Sequence, residues 1–452
     1  MKSFHLEFHE FITIFAQNIN IMKIEQLALE TKQAAIKLSA VNTVSKNNAL
    51  KAIAENLKKR EKEIYNANSE DIKNSEKENL AAPLLKRLKF DSKKLDSVIE
   101  GIISLIKLTD PVGETQSATE LDKGLELYRV SCPIGVIGVI FESRPDALVQ
   151  ISTLCLKSGN GVILKGGSEA LNTNRILTEI INEVTEKEGI PKGWARLLET
   201  RSDVNEMLKM DRYIDLIIPR GSNEFVRYIM DNSNIAVLGH ADGICHIYAD
   251  EDADIDMAVE LIYDSKTQYV AVCNAAETLL VHEKIAQKLL PKVKAKLDEK
   301  NVDLFGCEQT CKIINAKKAT EKNWKTEYLD YQMSVRVVKD IDEAIDHINT
   351  YGSGHTETII TKEKQTAKHF IDLVDSGNLF WNCSTRFSDG FRYGLGAEVG
   401  ISTNKIHARG PVGLEGLLIY KWIIKGEGQT VLPYANGDKK FTHKRMSKSF
   451  EI

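Results

Sequence analysis

The chain of 452 residues is long enough for two or three domains with large cores. It is 42% hydrophobic and 27% charged with a net charge of -4, which gives no basis for a nucleic-acid partner, and no apolar run is long enough to span a bilayer. Its seven cysteines, Cys132, Cys155, Cys245, Cys273, Cys307, Cys311 and Cys383, are odd in number and widely scattered, which fits a reducing cytoplasm better than a disulfide framework.

The first twenty residues carry Phe4, Phe8, Phe11 and Phe15 beside His5, Glu7, His9 and Glu10. Acidic residues and the lack of a basic start argue against a secretory signal, so a short amphipathic helix or a disordered extension is expected. Met22 is a second possible start. From Ile24 to Leu108 apolar residues recur at helical spacing, as at Ala49, Ile53 and Leu57, with the charges forming a solvated face. Asp110-Pro-Val-Gly113 breaks the pattern. Leu125 to Val130 alternates as a strand.

Ile134 to Ile140 reads as a strand buried on both faces, ending in Phe141-Glu-Ser-Arg-Pro-Asp146. A helix from Ala147 to Ser158 follows, then a buried strand, Gly161 to Lys165, closing in Lys165-Gly166-Gly167-Ser168. Ser168 is the expected cap of a helix from Glu169 to Glu188, which Gly189 and Pro191 stop. Ala195 to Leu198 and Ile214 to Ile218 read as further strands. The second ends in Pro219-Arg220-Gly221-Ser222, before a helix from Asn223 to Met230. Strand, turn and helix in repetition predict a parallel, doubly wound α/β sheet. Ligands bind such sheets at the strand C-ends, and three loops there carry Gly, Ser, Lys or Arg: Ser143-Arg144, Lys165 to Ser168, and Arg220 to Ser222. Tight turns alone account for any one of them. Together they favour a dinucleotide, although no G-x-G-x-x-G fingerprint is present.

The stretch Tyr269-Val-Ala-Val-Cys-Asn-Ala-Ala-Glu-Thr-Leu-Leu-Val281 places Cys273 where the apolar period changes. Ile255 to Tyr263 is helical, with Asp254 as its cap, and Thr278 to Val281 is a short buried strand. Cys273 is then expected in a turn flanked by Ala271, Ala275 and Ala276, small enough for a carbon to reach the sulfur. A thiolate there is a candidate nucleophile; a small buried hydrophobe is the plain alternative. Cys307 and Cys311 have no second pair nearby and read as ordinary helix residues, not a zinc site. Further strands are expected at Ser334 to Val338, Ser353 to Thr361 and Gly377 to Trp381, with helices between, as in a second α/β domain. The glycine-rich region from Asn382 to Gly416 carries Arg386, Arg392 and Arg409, whose forked guanidinium groups suit a carboxylate or phosphate. The polar tail from Glu427 has a weak strand signal at Thr430 to Leu432.

Five motifs carry a resemblance: Val272-Cys-Asn-Ala-Ala-Glu-Thr278, Phe141-Glu-Ser-Arg-Pro-Asp146, Ile218-Pro-Arg-Gly221, Ser353-Gly-His-Thr356 and His407-Ala-Arg-Gly-Pro-Val-Gly-Leu-Glu-Gly416. Over the chain from Met22 to the tail they closely resemble the gamma-glutamyl phosphate reductase family, a non-hydrolytic branch of the aldehyde dehydrogenase superfamily. The resemblance implies two doubly wound parallel-sheet domains and a small oligomerisation arm. The NADP-binding domain would take residues 22–108 and 132–250, the catalytic domain 251–423, and the arm 109–131 and 424–452, after an extension of 1–21. It implies reduction of L-glutamyl 5-phosphate with NADPH to L-glutamate 5-semialdehyde, the second step of proline biosynthesis, in the cytoplasm. Cys273 falls on the family's catalytic cysteine, with Asn274 beside it, and Ser143 replaces the superfamily's oxyanion-hole asparagine. Lys165, Gly166 and Ser168 fall at the adenosine ribose, Gly221 and Ser222 at the pyrophosphate, and Glu327 at the nicotinamide ribose. Arg144, Arg386 and Arg409 are the anion-site candidates. Val237 takes the place of the water-activating glutamate of hydrolytic relatives, with His240 and Asp242 nearby in structural roles. A homo-oligomer, dimer or tetramer, is implied, with glutamate 5-kinase as a candidate partner. Val270 and Ser222 depart from the proline and glycine common in relatives. The rivals are another non-hydrolytic acyl-phosphate or CoA-acylating aldehyde dehydrogenase, a hydrolytic one, and an inactive binding protein.

Overall fold

The computed structural model describes residues 22–200, 202–239, 242–395 and 397–451. The extension 1–21 and His240, both subjects of expectations above, lie outside these. The chain forms two compact units. The first takes residues up to Gly221, Tyr228–Val237 and Gly413–Ile452; the second takes Ser222–Arg227 and Leu238–Val412.

The first unit opens with helices α1 (residues 22–38), α2 (Thr43–Lys59), α3 (Glu61–Lys77), α4 (Ala82–Leu88) and α5 (Ser92–Lys107). Leu50, Ile53 and Leu57 of α2, with Leu95, Val98 and Ile102 of α5, are buried, as the helical spacing predicted. Strands β1 (Thr115–Asp122) and β2 (Leu125–Pro133) follow, then β3 (Val136–Phe141), α6 (Pro145–Lys157), β4 (Gly161–Gly166), α7 (Leu171–Lys187), β5 (Ala195–Leu198), α8 (Ser202–Met207), β6 (Leu216–Arg220) and α9 (Asn223–Asn232). β5-β4-β3-β6 is an all-parallel sheet. β3 and β4 are buried throughout, which accounts for their apolar runs Val136 to Phe141 and Val162 to Leu164.

Ser168 does not cap α7. It opens a single 3-10 turn, Ser168–Ala170, and α7 starts after Ala170 without a side-chain cap of its own. The cap comes from α3: the Asp71 carboxylate accepts the N–H groups of Asn172 (3.1 Å) and Thr173 (2.8 Å) and the Thr173 hydroxyl (2.6 Å). A carboxylate at a helix N-terminus also meets the positive end of the helix dipole.

The second unit runs through β7 (Cys245–Ala249), α10 (Ile255–Thr267), β8 (Ala276–His282), α11 (Glu283–Asp298), β9 (Asp303–Gly306), α12 (Glu308–Ile313), β10 (Lys317–Lys318), α13 (Glu321–Trp324), β11 (Gln332–Val338), α14 (Ile341–Tyr351), β12 (Thr356–Ile360), α15 (Lys364–Leu373), β13 (Asn378–Trp381), β14 (Gly400–Ser402) and β15 (Gly410–Val412). Its seven-stranded sheet has the order β10-β9-β11-β8-β7-β12-β13, with every pair parallel. Cys307 is the N-cap of α12 and Cys311 lies within it; no group of His, Cys, Asp or Glu among the described residues is arranged to hold a metal ion.

The chain then returns to the first unit through β16 (Leu418–Lys425), α16 (Leu432–Ala435) and β17 (Lys444–Met446). The antiparallel sheet β16-β2-β1-β17 belongs to the first unit and includes the segment expected to form an arm. The strand expected at Thr430 to Leu432 is absent: Leu432 starts the short helix α16, with Pro433 in its first turn, where proline's fixed φ suits a helix. The C-terminal strands of that sheet are β16 and β17.

Candidate active site

Cys273 sits in the turn of residues 268–275, between α10 and β8. The change of period predicted there is real. Asp254 caps α10 by accepting the Met257 N–H at 3.2 Å, and β8 is buried at every residue. Ala275 closes the turn, its N–H donating to Val272 O at 3.1 Å. Two segments from elsewhere in the second unit then hold the turn. At Gly243, before β7, the backbone lies so close that an added Cβ would stand 2.3 Å from the Cys273 carbonyl oxygen and 2.6 Å from its Cα. The Cys245 thiol, fully buried and pushed well up in pKa by burial, donates to that same carbonyl at 3.1 Å.

From the other side comes the 3-10 turn Thr385–Phe387. The Thr385 hydroxyl donates to the Asn274 carbonyl at 2.7 Å, and the Asn274 side chain donates to the Ser388 carbonyl at 2.7 Å. Asn274 is 4% exposed, and its Oδ1 has no hydrogen-bond partner among the described residues. Arg386 is brought to the same place. It is 8% exposed, its Nε donates to Gln268 Oε1 at 2.9 Å, and Cys273 is among the charges it senses, although burial is what chiefly lowers its pKa. Arg409 is differently employed: Nη1 pairs with Asp375 at 2.8 Å and Nη2 donates to the Asp375 carbonyl at 3.1 Å.

Glu327 is also drawn in. Its Oε2 accepts from the Asn223 side chain at 2.6 Å, Gly243 N–H donates to it, and burial raises its pKa. Asn223 follows Ser222 and opens α9, and also donates to Asp242 at 3.1 Å. Gly243 therefore serves two residues, lying against Cys273 and bonding Glu327. Neither Gly243 nor Cys245 was singled out from the sequence; the Gly in Asp242-Gly243 was the one available signal.

In the first unit, Ser143 follows β3 with φ +43°, a conformation rare for serine. Its N–H (2.7 Å) and hydroxyl (2.6 Å) both donate to Glu169 Oε1, so the hydroxyl expected to serve an oxyanion is engaged with a carboxylate. Arg144 is exposed and precedes α6. Lys165, next to last in β4, is deeply buried, its ammonium donating to the Gly166 carbonyl. A Cβ at Gly166 would stand 2.1 Å from Asn174 Nδ2. Ser168, Glu169 and Asn172 face a cavity of about 310 Å³ with Asp71, Ser75 and Lys77 of α3, and the buried Ser75 hydroxyl has no partner among the described residues. The cavity adjoins the loop from Lys165 to Ser168 expected to hold the adenosine ribose. Gly221 ends the loop after β6. Val237 is buried and bridges to Ile217 in parallel fashion.

A cysteine turn at the N-terminal edge of one parallel sheet and a polar cavity beside the strand C-ends of another are consistent with the aldehyde dehydrogenase architecture, and residues 14–323 match the aldehyde dehydrogenase family. The gamma-glutamyl phosphate reductases of Acetivibrio thermocellus and Pelotomaculum thermopropionicum are 68% and 66% identical, over 95% of this chain in each case and 100% and 99% of theirs. The crystal structure of gamma-glutamyl phosphate reductase from Thermotoga maritima is 42% identical and superposes with a TM-score of 0.88, covering 90% of this chain and 99% of that one. The chain belongs to the aldehyde dehydrogenase family, in its gamma-glutamyl phosphate reductase branch.

Proposed function

We propose that the chain reduces L-glutamyl 5-phosphate to L-glutamate 5-semialdehyde and phosphate with NADPH, as a glutamate-5-semialdehyde dehydrogenase of proline biosynthesis. The observation that carries this is the Cys273 turn, held by Gly243, Cys245 and Thr385 with the Arg386 guanidinium alongside.

The Cys273 thiolate attacks the acyl carbon, the bond from that carbon to the phosphate oxygen breaks, and phosphate leaves with its electron pair. The product on the protein is a thioester. Arg386 holds an anionic group of the substrate, and with Arg409 committed to Asp375 it is the better placed of the two arginines. A nicotinamide dinucleotide, once bound, would supply the hydride that reduces the acyl carbon. Backbone N–H groups of the Cys273–Asn274 turn hold the oxyanion that results, and its collapse breaks the C–S bond, returning the thiolate and the aldehyde. The proton consumed overall ends on phosphate. Lys165, Gly166 and Ser168 would hold the adenosine end, Gly221 and Ser222 the pyrophosphate, and Glu327 the nicotinamide ribose. NADPH over NADH follows from the family resemblance. Ser143 supports the loop in front of α6 through Glu169.

The reading includes a homo-oligomer in the cytoplasm, with glutamate 5-kinase as partner. Its supports are β16, an edge strand of the arm exposing Ile419, Tyr420, Trp422 and Ile424, and seven free cysteines. No helix among the described residues is long and apolar enough to cross a membrane.

An apolar side chain cannot activate water, so with Val237 in the glutamate position the thioester should wait for phosphate. The test runs the reaction in reverse: NADP reduction with the semialdehyde, with and without phosphate. Turnover should need phosphate, or arsenate in its place, and free glutamate should not accumulate at a comparable rate. Sustained turnover to glutamate in phosphate-free buffer would overturn the mechanism.

A further inference from the structure

Lys266 lies in the last turn of α10 and Glu277 is the second residue of β8, so they stand on either side of the turn that carries Cys273. Their side chains meet: Lys266 Nζ lies 2.6 Å from Glu277 Oε2, and both are fully buried. An ion pair of this kind is costly to bury, because two charges leave water, and it forms only where the surrounding chain holds both groups in good geometry. Here it closes the ends of the cysteine turn on each other. The second oxygen of Glu277 is also used. Oε1 accepts the Leu329 N–H at 3.3 Å. Leu329 has φ +52°, a left-handed conformation unusual for leucine, two residues beyond Glu327. The Lys266 ammonium lies 5.9 Å from the centre of the Tyr328 ring, between them.

We infer that Lys266 and Glu277 are positioning residues: one buried pair clamps the base of the Cys273 turn and, through Leu329, sets the turn that presents Glu327. The thiol and the residue expected at the nicotinamide ribose are thus held by a single device, although neither Lys266 nor Glu277 need touch substrate or dinucleotide. Burial pushes Glu277 up to about 7 and lowers Lys266, so each depends on the other to stay charged. The inference rests on Cys273 as the nucleophile.

Removing one partner strands a buried charge, whereas replacing both by apolar groups of similar size does not. The test is therefore the double variant Lys266→Met/Glu277→Leu, with Glu277→Gln beside it. Three quantities are read on the intact enzyme: kcat and KM, the affinity for NADPH by quenching of protein fluorescence, and the rate of Cys273 alkylation by iodoacetamide. The double variant should lose about 100-fold in kcat/KM, the loss expected when reacting groups are misplaced by about 1 Å. Its NADPH affinity and alkylation rate should change with it, which a merely structural pair would leave alone. Glu277→Gln, which keeps the acceptor for Leu329 but leaves Lys266 without its counter-charge, should also lose kcat/KM and alter the alkylation rate. Wild-type kcat together with wild-type alkylation in the double variant would overturn the inference; if that variant does not fold, the same result in Glu277→Gln would do so. Turnover by wild-type enzyme after complete alkylation of Cys273 would instead remove the nucleophile assignment.

Discussion

Gly243→Ala is the sharpest test of how Cys273 is held. The added methyl would stand 2.3 Å from the Cys273 carbonyl oxygen and 2.6 Å from both its Cα and Cβ. Non-bonded carbons rest at about 3.5 Å or beyond, so the Cys273 backbone has to retreat by about 0.9 Å, the difference between 3.5 and 2.6. Neither side of the contact gives way easily. Gly243 is tied to Glu327 by its N–H, and the Cys273 carbonyl is held by the Cys245 thiol. A displacement of about 1 Å costs about 100-fold in rate, which is about 2.7 kcal/mol of transition-state stabilisation. Overpacking of this size also costs about 1–3 kcal/mol of stability. The assay is NADP reduction with the semialdehyde and phosphate, alongside thermal unfolding. Gly243→Ala should remain folded with a lowered Tm and a kcat reduced by about two orders of magnitude. A kcat indistinguishable from wild type would refute the close approach as the support of the nucleophile.

Cys273→Ala should abolish turnover while leaving NADPH affinity, measured by fluorescence quenching, nearly intact; substantial residual activity would sink the covalent mechanism. Deleting the tail from Gly428 removes α16 and β17 from the arm, and light scattering should then show weaker self-association; a wild-type chain that is a monodisperse monomer at micromolar concentration would contradict this. His347 is a pH-dependent element of stability. Burial lowers its pKa from 6.5 to about 2 in the folded chain. The folded value lies below the unfolded one, so its contribution is complete above 6.5 and is lost as pH falls: acidifying from about pH 7 to about pH 5 should cost about 2 kcal/mol. His347→Gln should flatten the fall of Tm over that range, and an unchanged slope would show that His347 is not the cause.

Several features were legible because their causes are local. The apolar period changes from helical to strand spacing around Cys273 within a few residues, and Asp254 caps α10 from the adjacent position. The buried strands β3, β4 and β8 carry the short apolar runs Val136 to Phe141, Val162 to Leu164 and Leu279 to Val281 because parallel strands are covered on both faces. Local signals failed where a distant segment supplied the answer. Ser168 looked like a helix cap, but Asp71, far away in the chain, reaches α7 first. Thr430 to Leu432 looked like a weak strand, and the short helix α16 prevailed because nothing in that brief stretch outweighs a proline in a first helical turn. Arg386 and Arg409 are alike as sequence, two arginines among glycines. Packing alone sends one to Gln268 beside Cys273 and the other to Asp375.

By itself, then, the sequence determined many of the buried strands, the main helices and the turn for the thiol, all set by periodicity and by short-range turn chemistry. Tertiary structure decided which groups hold that thiol. Gly243 against Cys273, the Cys245 thiol on its carbonyl and the Lys266–Glu277 pair beneath its turn each join residues by contact across the fold, and no spacing along a chain encodes a distance of 2.6 Å between side chains of a helix and a strand.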